Sequence, residues 1–151
     1  MLRIQKLRAD SRRMLKLLIP LLREFVNYGS LFTALMEWPR SCDGWNPEKC
    51  PEITQICELL PHVGFFDGCT LGVRNEKGEL VRKRYRVQSS CPATAHAVSR
   101  VCHRRLVKHG AIGGRTTVLT GFYNKQTAKH MRKALTPTYW VRRNKNNKRD
   151  S

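Results

Sequence analysis

Two short polar runs follow apolar segments and carry the side chains best suited to chemistry. The first is Glu37-Trp38-Pro39-Arg40, leading to Cys42-Asp43-Gly44-Trp45. The second is Asp67-Gly68-Cys69, leading to Gly72. A carboxylate that closes an apolar strand either caps the strand end or orients a ligand. One such loop leaves both readings open, and two on adjacent strands favour a site. The predicted lining of a shallow pocket is therefore Glu37, Trp38, Pro39, Arg40, Trp45, Asp67 and Cys69. The indoles of Trp38 and Trp45 offer stacking faces to an unpaired base, and Arg40 offers a guanidinium to a neighbouring phosphate. The plainer alternative is that both indoles pack as a lid over the core.

The six cysteines, Cys42, Cys50, Cys57, Cys69, Cys91 and Cys102, show no short Cys-x2–4-Cys step of the kind that builds a zinc finger or knuckle. Cys102-His103 followed by His109 offers donor atoms, but adjacent residues rarely close one tetrahedral site, so no metal is predicted. No secretory signal opens the sequence, so reduced structural thiols in an intracellular setting, nuclear or cytoplasmic, are expected. Cys69 with His96 or His103 is a conceivable nucleophile pair, against which a buried structural thiol is the simpler reading. There is no Walker loop and no Gly-x-Ser-x-Gly turn. Glu37, Asp43 and Asp67 alone do not make a convincing two-metal carboxylate centre. No catalytic residue is assigned.

Charge is the strongest bulk signal. The 151 residues hold 29 Lys+Arg against 11 Asp+Glu, a formal charge of +18. Such an excess is the electrostatic footprint of a nucleic-acid binder, DNA or RNA. Arg82, Arg84 and Arg86 alternate onto one side of a predicted strand. With Arg104, Arg105, Lys108, Arg142 and Arg143 they form the predicted phosphate-contacting surface. No apolar run approaches the roughly 18 residues of a membrane span, so no membrane partner is expected.

The elements that position these groups follow from periodicity. Residues 1–10 read as a basic lead-in, and 11–28 as an amphipathic helix with Pro20 inside it. Residues 31–38 read as a strand apolar enough to be covered on both faces. A helix is predicted over 51–60 and strands over 63–67 and 80–88. Between those two strands, 70–74 is also strand-like, and Asn75-Glu76-Lys77-Gly78 makes the turn of a hairpin. Helices are predicted over 92–102 and, capped by Asn124, over 125–135. The polar run 137–151 is expected to be a disordered tail. Alternating helices and strands predict one α/β layered domain over 11–136, with strands 31–38, 63–67 and 80–88 in one mixed sheet.

Several runs together resemble a known segment. They are LMEWPRSCDGW, FFDGCTLGVRNEKG, a Lys/Arg-rich strand ending in VQSS, Cys-His, His-Gly and GFYNKQTAKHM. This pattern is similar to a segment of copia-type retrotransposon polyproteins of dinoflagellates. That segment is in turn similar to the second half of a Rossmann-like methyltransferase domain, with a Glu-Asn-Pro-type loop. The resemblance spans about residues 12–135 and implies a partial Rossmann-like layered sheet with flanking helices and a strand hairpin. Trp38 stands where that loop has Asn, and an indole only donates, so it cannot replace the amide. Tyr123 is followed by Asn124 rather than Pro. No Gly-x-Gly turn after a strand precedes Glu37, so no cofactor, S-adenosylmethionine included, is expected on this chain alone. The resemblance implies a non-catalytic nucleic-acid-associated module. Its alternative is a methyltransferase-like fragment lacking an N-terminal half.

Overall fold

The computed structural model describes residues 2–28, 33–103, 108–112 and 123–136. Its first element is α1 (Leu2–Asn27), one helix that runs through Pro20. The basic lead-in is thus the start of this helix, since Leu, Arg, Gln, Lys and Ala are all good helix formers. Strand β1 (Leu35–Pro39) follows, then a 3-10 turn (Asp43–Trp45), α2 (Glu52–Leu59) and β2 (His62–Asp67). A second 3-10 turn (Gly68–Leu71), β3 (Arg84–Ser89), α3 (Pro92–Val98) and α4 (Lys125–Leu135) complete the described elements.

The strands form one sheet in the order β1-β3-β2, with β3 antiparallel to both neighbours. The three predicted strands do share a sheet, but each hydrogen-bonded pair is antiparallel. β1 and β2 run the same way, and α2 crosses between them.

Helices cover both faces. One face presents Met36, Trp38, Arg86 and Gln88 toward α1 and α2, where Leu15, Ile19, Leu22, Ile53, Ile56 and Leu60 form the first core. The steps of three and four between those apolar residues place them on one stripe of each helix. The other face presents Phe66, Tyr85 and Val87 toward α3 and α4, and packs against Val98, Met131 and Ala134. Phe66 is fully buried, and its ring stacks on Tyr85 with centroids 4.6 Å apart. α3 lies so close to β2 that a Cβ on Gly64 would meet the Ala95 carbonyl oxygen at 2.5 Å.

Two stretches differ from expectation for local reasons. Residues 70–74 do not form a regular strand, because the second 3-10 turn ends on Gly72 with φ of 72°. The hairpin survives as a single bridge, Arg74 to Leu80, whose turn is held by Asn75 Oδ1 accepting from the Lys77 and Glu79 amides. α3 ends at Val98 because the Ser99 hydroxyl turns back onto the Ala95 carbonyl, and Arg100 then pairs with Phe66 along the outer edge of β2. β1 keeps its outer edge open among the described residues. The 137–151 tail lies outside them.

An ion pair ties α1 to α2. Arg12 grips the buried Glu52 carboxylate through Nε at 2.9 Å and a terminal nitrogen at 3.0 Å, with Lys16 at 3.6 Å. The Arg12 hydrogen bonds are the main cause that brings the Glu52 carboxyl down to about 2, and burial opposes them only in part. A depressed carboxyl stabilises the fold above its unfolded value, near 4.5, and loses that contribution as pH falls toward about 2. Glu52→Gln is therefore expected to lower stability at neutral pH. The gap between variant and parent should close as pH is lowered through this window, read from denaturant midpoints. A gap independent of pH would contradict the assignment.

Candidate nucleic-acid interface

The carboxyl ends of β1 and β2 lie side by side, separated by the start of β3. An open groove of about 790 Å³ runs across them, lined by Pro39, Arg40, Ser41, Asp67, Arg82, Lys83, Arg84 and Ile112. Backbone bonds fix its walls. The Arg40 amide donates to the Arg84 carbonyl at 2.9 Å, and the Gly68 amide donates to the Lys83 carbonyl at 2.8 Å.

Asp67 organises this groove. Its side chain is fully buried at the end of β2. Arg84 donates to it twice, at 2.7 and 2.9 Å, Arg82 approaches at 3.4 Å, and the Cys102 amide donates at 2.9 Å. Burial pushes this carboxyl up, but Arg84, the Cys102 N–H and Arg82 outweigh it and hold it below the usual carboxylate range. One acid thus aligns two guanidiniums while neutralising only one charge. Lys83 leans over the Tyr85 ring at 5.2 Å, and desolvation lowers its pKa. Arg40 is exposed and lies over Phe65, 5.5 Å from the ring centroid. Two guanidiniums held on one carboxylate, with Arg40 and Lys83 on the same groove lining, make an anion-attracting surface.

The seven residues predicted to line one pocket are divided among four places. Pro39, Arg40 and Asp67 line the groove. Trp38 and Trp45 pack edge to face, 5.4 Å apart, at the margin of the first core. The Trp45 indole N–H donates to the Pro39 carbonyl. The indoles are thus placed as a lid over the core. Glu37 points to the opposite face of the sheet, where Tyr123 donates a hydrogen bond to it. Burial pushes the Glu37 carboxyl up, while Tyr123 and Lys83 pull it partly back. Cys69 lines a neighbouring cavity with Cys102. Alternation along β1 explains the parting of Glu37 from Trp38, since successive side chains take opposite faces.

The arginine triplet is also divided. Arg82 and Arg84 reach the groove, whereas Arg86 lies opposite Trp38 and stacks over Trp45 at 4.6 Å. The sequence expectation placed all three on an open face. The face carrying Arg86 is instead roofed by α1 and α2. Lys108 is exposed, and Arg104, Arg105, Arg142 and Arg143 lie outside the described residues. Lys83 borders the groove, but its ammonium lies over Tyr85 and acts on Glu37, on the side of the strand where alternation sets it.

Removing an indole from the lid is expected to cost stability. Trp45→Ala deletes the edge contact with Trp38 and the Arg86 stack, and a drop of about 2 kcal/mol in unfolding free energy is expected for this half-buried ring. Denaturant unfolding measures it, and an unchanged midpoint would show that the lid contributes nothing.

Comparison of the chain with protein-family models, curated proteins and solved structures gives no match.

Proposed function

We propose that the chain is a non-catalytic, nucleic-acid-associated module, derived from a copia-type retrotransposon polyprotein, that takes phosphates in the groove at the ends of β1 and β2. The observation that carries this reading is the lining of one groove by Arg40, Arg82, Lys83 and Arg84, with Asp67 the one acid among its described residues. The overall charge of +18 supplies long-range attraction to a polyanion. Among the described residues the groove offers guanidiniums and no aromatic ring, which favours contact with the backbone over contact with bases. Titration of short single- and double-stranded DNA and RNA at rising salt tests this. Expected is binding at about 50 mM salt whose logarithm falls linearly with the logarithm of salt concentration. Absence of binding to all four at that salt would refute it.

A second reading rests on topology. β1 and β2 run in the same direction, are joined through α2, and flank an antiparallel β3, with helices on both faces. Half of a Rossmann-like methyltransferase domain can be built this way, and the open edge of β1 is where a companion N-terminal half would pair. Neither reading gives a heat of S-adenosylmethionine binding to this chain alone; under the second, heat appears only when a cofactor-binding N-terminal half is added, and its absence then favours the first.

A further inference from the structure

The side chains of Cys69, Cys102 and His109 take no part in the phosphate groove, yet the fold brings them together. The two sulfurs and one ring nitrogen all lie within 4.8 Å of one another. Cys102 Sγ is 3.7 Å from His109 Nε2. Zinc–sulfur bonds of about 2.3 Å and zinc–nitrogen bonds of about 2.0 Å, set tetrahedrally, put ligand atoms roughly 3.5–3.8 Å apart. The trio therefore stands close to the spacing of ligands around one ion.

The backbone holds the two cysteines from different directions. Cys69 belongs to the 3-10 turn that follows β2. Cys102 lies just past the bridge at Arg100, with its amide on the buried Asp67 carboxylate. His109 is anchored by its neighbour Gly110, whose amide donates to the Leu80 carbonyl at 2.9 Å. Both cysteines are buried, at 9 and 8 % exposure. On one side the trio opens to a cavity of about 310 Å³, which His103 also lines.

We propose that Cys69, Cys102 and His109 bind one thiophilic divalent cation, zinc by preference, leaving the fourth coordination position open to this cavity. Two sulfurs and an imidazole suit zinc and disfavour the hard oxygen-seeking cations. Binding replaces two thiol protons, which pass to solvent, so the two thiolates balance the dication. The ion would fasten the turn after β2 to Cys102 and to residues 108–112, which contribute Ile112 to the groove. Sequence spacing hides such a site because its ligands come from separate turns of the fold.

The full chain, reduced and stripped of metal, is titrated with Co²⁺ as the spectroscopic probe. One equivalent is expected to bind, giving the intense visible bands of a tetrahedral ion and a thiolate-to-cobalt absorption, both abolished by added Zn²⁺. Cys69→Ser and Cys102→Ser should each remove at least half of the thiolate absorption, and His109→Ala should weaken binding at least tenfold. Cys42→Ser and Cys57→Ser should leave the spectrum unchanged. Absence of these bands in the parent chain overturns the proposal without recourse to any variant. So does thiolate absorption that persists at full strength in Cys69→Ser and Cys102→Ser, or a reduced sample that re-forms a Cys69–Cys102 disulfide in place of binding Co²⁺.

Discussion

Asp67→Asn is expected to lower unfolding free energy by about 3–5 kcal/mol, the range seen when one partner of a buried ion pair is removed. The carboxylate is fully buried and meets Arg84 through two bonds, so the amide leaves a partly buried guanidinium without its counter-charge. The amide also accepts fewer hydrogen bonds, and the Cys102 amide competes for its one oxygen. The depressed carboxyl sets the pH dependence. Its stabilising share is complete above the unfolded value near 3.8 and disappears as pH falls below it. Denaturant midpoints at neutral pH read the loss. A loss under about 1 kcal/mol would place Asp67 among surface ion pairs rather than at the centre of the groove.

The second large effect concerns binding. Replacing Arg40, Arg82 and Lys83 together with Ala is expected to reduce the slope of log affinity against log salt by up to about three units for duplex DNA, since each phosphate neutralised contributes about 0.9. Affinity should fall by a similar factor for every sequence, because phosphates carry no base identity. Arg84 is left in place to keep Asp67 paired, so the variant is expected to fold. Circular dichroism checks that before titration. An unchanged slope would move the phosphate contacts elsewhere on the chain.

Local chemistry was legible in the sequence where one element decides it. Asn124 caps α4, its side chain accepting from the Thr127 amide, and the helix spans Lys125–Leu135 as its period demands. The Pro51 start and Pro61 stop likewise bracket α2. Strand direction was not legible, because an alternation of helices and strands fits parallel and antiparallel neighbours until the connections are closed in space. The two loops were found by their closing carboxylates. Their sharing of a pocket was overestimated, because Glu37 and Trp38 take opposite faces of one strand. Arg86 was misplaced for a related reason. A basic residue on a strand looks solvent-facing until a helix is known to roof that face, and here its guanidinium rests on Trp45. Cys102-His103 and His109 were legible as donor atoms, but Cys69 was not joined to them as a ligand, because Cys69 reaches Cys102 only where the segment after α3 pairs at Arg100 along the edge of β2.

The central claim is that position in the groove, and not net charge, directs phosphate binding. A charge-matched comparison tests it most directly. One variant carries Arg40→Ala, Arg82→Ala and Lys83→Ala, and the other carries Lys125→Ala, Lys129→Ala and Lys133→Ala on the exposed side of α4. Each loses three positive charges, and the salt dependence of duplex binding is measured for both beside the parent. A groove site requires the first variant to lose up to about three units of slope and the second to stay within about one unit of the parent. Equal losses in the two variants would contradict a site in the groove and leave only diffuse attraction by a basic surface.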